Sequence, residues 1–299
     1  MDESFGAWLA KQLTIGPNTF KRTHRRTTVF EPRDHVAAPD ELAGRVVAIT
    51  DAGSGIGRAV ALACARHQAN VVLIGRNKAA LEAVHDEITA AAAPEASIAL
   101  LDLEKAVARD YDELASALLG RYGRLDGLLH NAGLLGTLSP IEYYDVPTWC
   151  RVLHVNVTAA FALTRVLLPA LKKSPDASVV FTASSVGRRG RAYWGAYAVS
   201  KFALEGLAQV LSDELEGITP VRVNTLNPGR ARTAMRRQAY PAEDVAAVPP
   251  PEALTTAYIA LLGPAGRGVT GGAFDAQPPA ASSAAPASAS PDSSARSSS

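Results

Sequence analysis

Between residues 46 and 274 the chain alternates two patterns of apolar and polar positions. Short apolar runs at 46–50, 71–74, 98–101, 128–130, 179–182, 221–226 and 269–274 have the length and β-branched content of strands. Longer stretches near 56–67, 78–91, 110–121, 147–172, 194–215 and 251–262 separate them and have the length of helices. Strands this continuously apolar suit a parallel sheet covered on both faces. Regular alternation of the two elements implies right-handed crossovers. The predicted fold is therefore α/β: a doubly wound parallel sheet of seven strands with helices on both faces. In such a sheet ligands bind beyond the carboxyl ends of the strands.

The flanks read differently. Residues 1–41 form an accessory arm, with an amphipathic piece (Phe5, Trp8, Leu9, Leu13) and a basic run of Lys21, Arg22, His24, Arg25 and Arg26. Asp2 and Glu3 precede both, which fits neither a secretory nor a mitochondrial leader. Residues 42–276 form the main domain. In the tail 277–299, the stretch from residue 281 onward is Ala, Ser or Pro except for Asp292 and Arg296. Having nothing to bury, that tail is expected to be disordered.

Composition narrows the function. Lys and Arg number 30 against 29 Asp and Glu, for a formal charge of +1, so a dedicated nucleic-acid binder is not expected. Cys64 and Cys150 form neither a disulfide framework nor a metal-ligand spacing, which suits a reducing, cytoplasmic compartment. The most apolar stretch, 152–171, is interrupted by His154, Asn156, Arg165 and Pro169, and reads as a buried helix rather than a membrane span.

Two motifs sit where the sheet should bind ligand. After the first strand, Thr50-Asp51-Ala52-Gly53-Ser54-Gly55-Ile56-Gly57 opens directly into a helix. Gly55 would let backbone amides approach a pyrophosphate, and Gly57 would let helix pack on strand, with the helix N-terminus favouring negative charge. The second strand ends Gly75-Arg76 with no acid, which favours NADP(H) over NAD(H), because arginine accommodates a 2′-phosphate. Asp102, followed by Leu103, ends the third strand and either accepts from an adenine amino group or caps the next helix. Further on, Tyr197 and Lys201 lie at i and i+4 on one helical face, where an ammonium would lower the phenol pKa and suit it to acid–base work. Ser184 and Ser185 lie 13 and 12 residues before that tyrosine.

Taken in order, Thr50, Gly55-x-Gly57, His130-Asn131-Ala132-Gly133, Asn156, Ser185, Tyr197-x-x-x-Lys201 and Asn227-Pro228-Gly229 resemble the short-chain dehydrogenase/reductase family over about residues 42–276. More narrowly, segments 130–136, 184–188, 194–197 and 274–278 resemble its YciK-type bacterial oxidoreductases. The resemblance implies a Rossmann fold and a carbonyl–alcohol oxidoreductase. It makes Tyr197 the proton donor and acceptor, and has Lys201 lower the Tyr197 pKa and hold the nicotinamide ribose. Ser185 would bond the substrate oxygen, and Asn156 would fix helix geometry and a proton-relaying water. Cofactor contacts are expected from Thr50, Asp51, Gly53, Ser54, Gly55, Ile56, Gly57, Arg76, Asp102, Leu103, Asn131, Ala132, Gly133, Tyr197, Lys201, Pro228, Gly229 and Thr233. Between the serines, the residue that follows favours Ser185 and the spacing to Tyr197 favours Ser184; we take Ser185.

The pattern is broken at Asp51, where the family has glycine. Aspartate tolerates a left-handed turn, but its carboxylate would oppose a 2′-phosphate and so works against Arg76. His130, where the family more often has asparagine, reads as a core or cleft-wall residue. Residues 234–251 are the expected substrate lid, of mixed polarity. Helices 147–172 and 194–215 are expected to join copies into a homodimer or homotetramer. A different function, nucleotide binding with little turnover and a partner held by the basic arm, is the alternative that Asp51 and the two tails suggest.

Overall fold

Every position of β1 (Val46–Thr50) and β5 (Ser178–Thr182) is buried, as strands must be when helices cover both faces. Residues 30–91 and 93–278 are described by the computed structural model. With β2 (Asn70–Gly75), β3 (Ala96–Leu100), β4 (Gly127–His130), β6 (Arg222–Asn227) and β7 (Ala273–Asp275) they form one sheet in the order β3-β2-β1-β4-β5-β6-β7. All six pairings are parallel. On one face pack α1 (Gly55–Arg66), α2 (Lys78–Ala90) and α8 (Thr255–Leu262). On the other lie α3 (Ala108–Tyr122), α4 (Val146–Leu153), α5 (Ala159–Leu171) and α6 (Gly195–Leu215). The chain order reverses between β1 and β4, so the loops leaving those strands diverge and open a crevice.

Three elements depart from the expected outline. The stretch 147–172 is not one regular helix: a π-helical turn, His154–Thr158, joins α4 to α5. The C-terminal helix opens with a tight turn, Pro251–Leu254. The last strand is three residues rather than six, because Gly268 and Gly271 sit at φ of 80° and 69° and break the extended run. There the Asn224 side chain takes over the pairing, donating to the Val269 carbonyl and accepting from Gly272 N.

The packed unit begins at Glu31, earlier than the expected 42, because Pro32 is buried and its turn packs on α8. At the other boundary Gln277 is tied down rather than part of a loose tail. Residues 1–29 of the expected arm and 279–299 of the expected tail lie outside the described residues. By length and composition Val146–Leu171 and Val245–Leu262 could each cross a membrane. In this fold Leu163, Leu167 and Leu171 of the first pack into the core beside the sheet, and residues 257–262 of the second are buried.

The amino end of the sheet is closed by buried ions. Asp176 meets Arg222 at 2.9 Å, Arg45 at 3.2 Å and Arg267 at 3.6 Å. Arg222 also donates to the carbonyls of Leu261 and Gly263. Asp126 accepts from Val46 N, Ser174 Oγ and Arg124 Nε. Each buried charge there has several partners, the condition under which burial is tolerated.

Candidate active site

At the opposite end β1 stops at Thr50, whose hydroxyl accepts from the amides of Asn131 (2.9 Å) and Ala132 (3.0 Å) and so ties the end of β4 to β1. The chain then turns at Asp51 with φ 53°, a conformation glycine would take freely and aspartate tolerates. Gly57 is dictated by contact: a Cβ there would lie 2.2 Å from the Asp51 carbonyl oxygen and 2.7 Å from Asn131 Nδ2. Ser54 Oγ donates to the Asp51 carboxylate at 3.3 Å. From this turn Ser54, Gly55 and Ile56 at the start of α1 line the crevice, a helix N-terminus suited to a phosphate, and a Cβ on Gly55 would lie 3.2 Å from Thr233 Cγ2.

One end of the crevice is lined by Asp51, Arg76, Asp102, Leu103, Ala132 and Gly133. Arg76 is more than half exposed and reaches Glu104 Oε2 at 3.5 Å, while Glu104 also pairs with Arg151 at 2.8 Å. Asp102 does not cap α3; its carboxylate accepts from Glu104 N within its own turn, leaving it on the pocket wall. Although Asp51 reaches solvent, crowding by the turn pushes its carboxyl up to about 6, against the pull of Ser54 and Arg76.

The other end is drier. Tyr197 is 9 % exposed and Lys201 3 %. Burial lifts the Tyr197 phenol to about 12, opposed by a hydrogen bond with Ser184. Burial sets the net direction of the phenol, and Lys201 Nζ stands 5.5 Å from its ring centroid. Burial also brings the Lys201 ammonium down to about 8, against the pull of Glu205. Its Nζ donates to the Thr182 carbonyl at 2.7 Å, the one acceptor for its three N–H groups among the described residues. Asn156 in the π-helical turn accepts from Leu134 N (2.7 Å) and donates to Leu134 O (3.0 Å) and Ser200 Oγ (2.9 Å). It thereby holds the loop after β4 against α6.

Ser184, not Ser185, faces the tyrosine. β5 ends at Thr182, and in the extended backbone of residues 183–184 side chains alternate. Ser184 lines the cleft, whereas Ser185 is exposed at the start of a 3-10 turn. This corrects the expectation drawn from the neighbouring residue and favours the one drawn from spacing.

Above Tyr197 the wall is aromatic and cationic. Trp194 lies 5.8 Å from both the Tyr197 and Tyr240 rings. Arg191 lies over Trp194 and Tyr240, and Arg236 stacks 3.7 Å from the Tyr240 centroid while forking onto Glu243. α7 (Ala234–Ala239) opens the expected lid, and Met235, Arg236 and Tyr240 line the cleft, which measures about 490 Å³.

Of the expected cofactor residues, Asp51, Ser54, Gly55, Ile56, Arg76, Asn131, Gly133, Tyr197, Lys201, Pro228, Gly229 and Thr233 line this cleft, and Asp102, Leu103 and Ala132 its extension. Thr50, Gly57 and Asn156 stand behind the wall and shape it. Gly53 faces away, toward Ala80 of α2. His130 is a core residue, stacked on Phe181, bonded to Thr164 and held neutral by burial, which brings its pKa to about 3. Sequence reading missed Trp194, Glu104 and Gln277; the last donates to the carbonyls of Pro228 and Arg230. Trp194 and Glu104 lie close in sequence to Tyr197 and Asp102, the signal that could have found them, whereas Gln277 reaches the site only through the fold.

A parallel sheet with a glycine turn at its switch point and a Ser–Tyr–Lys cluster across the crevice defines a nucleotide-dependent oxidoreductase class. The profile of the short chain dehydrogenase family matches residues 45–244. The uncharacterized oxidoreductase YciK of Escherichia coli K12 is 46% identical over 239 residues, covering 80% of this chain and 94% of that protein. A short chain dehydrogenase structure from Pseudomonas syringae superposes with TM-score 0.81 at 53% identity, covering 82% of this chain and 99% of that one. One from Shigella flexneri 2a, solved in complex with NADP, superposes with TM-score 0.77 at 46% identity, covering 81% and 100%. The chain belongs to the short-chain dehydrogenase/reductase family, whose members are oxidoreductases.

Proposed function

We propose that the protein is a cytoplasmic, NADP(H)-dependent oxidoreductase that interconverts a small-molecule carbonyl and its alcohol. The observation that carries this reading is the convergence of Ser184, Tyr197 and Lys201 on the wall of one cleft. The two N–H groups of Lys201 beyond its bond to Thr182 are available to hold ribose hydroxyls. The turn at 51–57, the amides of α1 and the walls at Asn131–Gly133 and Pro228–Gly229 fit a dinucleotide running along the crevice. When bound, the nicotinamide supplies hydride chemistry. Tyr197 then gives its proton to the carbonyl oxygen in reduction and takes it back in oxidation, while Ser184 holds that oxygen and stabilises its developing charge. The Tyr197 phenol is protonated at neutral pH, as the donor role requires, and cationic charge beside it would make it a stronger acid and ease the reverse step.

Arg76 supports NADP(H), as does the Shigella flexneri relative with NADP bound. A carboxyl standing near 6 is still mostly ionised at neutral pH, so Asp51 opposes a 2′-phosphate there and opposes it less as pH falls through that value. NAD(H) remains the competing cofactor, and a titration with NADPH and NADH side by side at fixed salt tests the choice. Tighter NADPH upholds Arg76 as selector, and tighter NADH makes Asp51 the selector. Binding of neither gives the lead to the partner-binding alternative. We also propose a homodimer or homotetramer built on α4–α5 and α6, supported by exposed Phe161, Phe202 and Val210; a monomer mass by light scattering at micromolar concentration would refute it.

A further inference from the structure

Two short segments, Ser184-Ser185-Val186-Gly187-Arg188 and Phe274-Asp275-Ala276-Gln277-Pro278, meet through one side chain. Arg188 Nε donates to Glu205 Oε1 at 3.0 Å, Nη1 to both carboxylate oxygens of Asp275 at 3.1 Å, and Nη2 to the Phe274 carbonyl at 2.8 Å. Each partner is bonded onward. Glu205 sits on α6 one turn beyond Lys201, and its second oxygen accepts from Thr225 of β6 at 2.7 Å. Asp275 accepts from Asn227 Nδ2 at 2.7 Å, and Asn227 Oδ1 accepts from Gly229 N at 3.1 Å. The loop before Arg188 lies tight on the same helix: a Cβ on Gly187 would come within 2.6 Å of Lys201 Cβ.

We propose that Arg188 is a positioning residue that fixes three separate segments of the site in one geometry: the loop carrying Ser184, the helix carrying Tyr197 and Lys201, and the 227–229 loop across the cleft. The guanidinium is suited to this because its donors lie in one plane along several directions, so one side chain can fork onto a carboxylate while bonding a second carboxylate and a carbonyl. Lysine, a point charge with a single nitrogen, cannot span the same set. The Arg188–Asp275 pair is partly exposed, at 28% and 40%, so its main effect is on geometry, whereas Glu205 is buried and losing Arg188 also costs stability there. The catalytic consequence rests on the roles proposed above for Ser184, Tyr197 and Lys201, whereas the mechanical coupling of the loops does not.

Hydrogen exchange on the full-length protein separates the two. In Arg188→Met, amides of 184–190 and of 227–230 should both exchange about tenfold faster. Asp275→Asn, which keeps the side-chain shape, should loosen 184–190 although it lies on another strand, and it decides the matter if Arg188→Met fails to fold. Arg188→Lys should resemble Arg188→Met. Faster exchange confined to 184–190 in Arg188→Met, or an unchanged 184–190 in Asp275→Asn, would overturn the coupling. With NADPH and 9,10-phenanthrenequinone as the probe substrate, Arg188→Met should lower kcat by about tenfold with KM for NADPH little changed. An unchanged kcat despite loosened loops would overturn the positioning role. If the wild-type protein shows no NADPH turnover on any carbonyl tried, the proposed function fails, and the exchange pattern alone still decides whether Arg188 couples the loops.

Discussion

The two ends of the sheet treat buried charge in opposite ways. At the amino end Arg222 is buried against Asp176 and two carbonyls. At the carboxyl end Lys201 is as deeply buried but, among the described residues, has one acceptor, the Thr182 carbonyl. Burial lowers the pKa of both, yet only Arg222 has a carboxylate bonded to it in return. A saturated charge holds strands in place and has nothing left for a ligand. An unsaturated one is costly in the free protein and supplies donors when something enters the cleft. Structure sits at one end of the strands and chemistry at the other, and the same physical penalty serves both.

That contrast breaks if mutations at the two ends behave alike. The largest expected effect is at the carboxyl end: Tyr197→Phe should cut NADPH-linked turnover roughly a thousandfold, the scale of general acid catalysis, with melting temperature and cofactor affinity little changed. Persistent turnover would sink the assignment of Tyr197. At the amino end Asp176→Ala strands Arg222 and should cost about 3–5 kcal/mol of stability by denaturant titration, with cofactor affinity of the folded fraction retained. A stable Asp176→Ala protein would show that the ion cluster is dispensable. Gly57→Ala lies between, because its Cβ meets the Asp51 carbonyl; a loss of about 1–3 kcal/mol is expected, together with weaker NADPH binding.

Smaller effects belong to the exposed rim of the crevice. Arg76→Ala should weaken NADPH about tenfold relative to NADH, or ~1.4 kcal/mol, and Asp51→Asn should shift the ratio the other way by less. An unchanged ratio in Arg76→Ala would remove it as the selector. The pH dependence sharpens the same comparison. As pH rises through about 8 the Lys201 ammonium loses its proton, so kcat/KM for carbonyl reduction should fall on that limb. The folded protein binds fewer protons at Lys201 than the unfolded chain between about 8 and 10.5, so this group makes stability rise with pH across that window. A Lys201→Met variant should lose that rise; if the slope stays, the ammonium is not shifted as described.

Much of this was legible from residue order. Strand and helix periods gave the sheet, and the motifs at 50–57 and 197–201 marked its carboxyl end, because both signals are local and need only a few neighbouring positions. Asp51 was recognisable as an exception and its left-handed turn was foreseen. Between the serines the expectation fell on Ser185 and the structure brings Ser184 to the cleft, because the choice depends on which way the backbone faces as it leaves β5. Lys201 was expected to lower the phenol pKa; burial sets the net shift upward, and spacing along a helix says nothing of how dry the surrounding cleft is.

What the sequence determined by itself was the alternation of elements, the position of the glycine turn and the presence of a Tyr–Lys pair on one helical face. Tertiary structure alone decided that Arg188 meets Asp275, that Gln277 closes onto Pro228 and that Lys201 is left with one acceptor. Those are contacts between segments far apart in the chain, formed only when parallel strands bring their carboxyl ends to the same edge. Local patterns survive in a single sequence because covalent geometry repeats every two or 3.6 residues. Partners across a fold obey no such period, and the packing of the whole sheet chooses them.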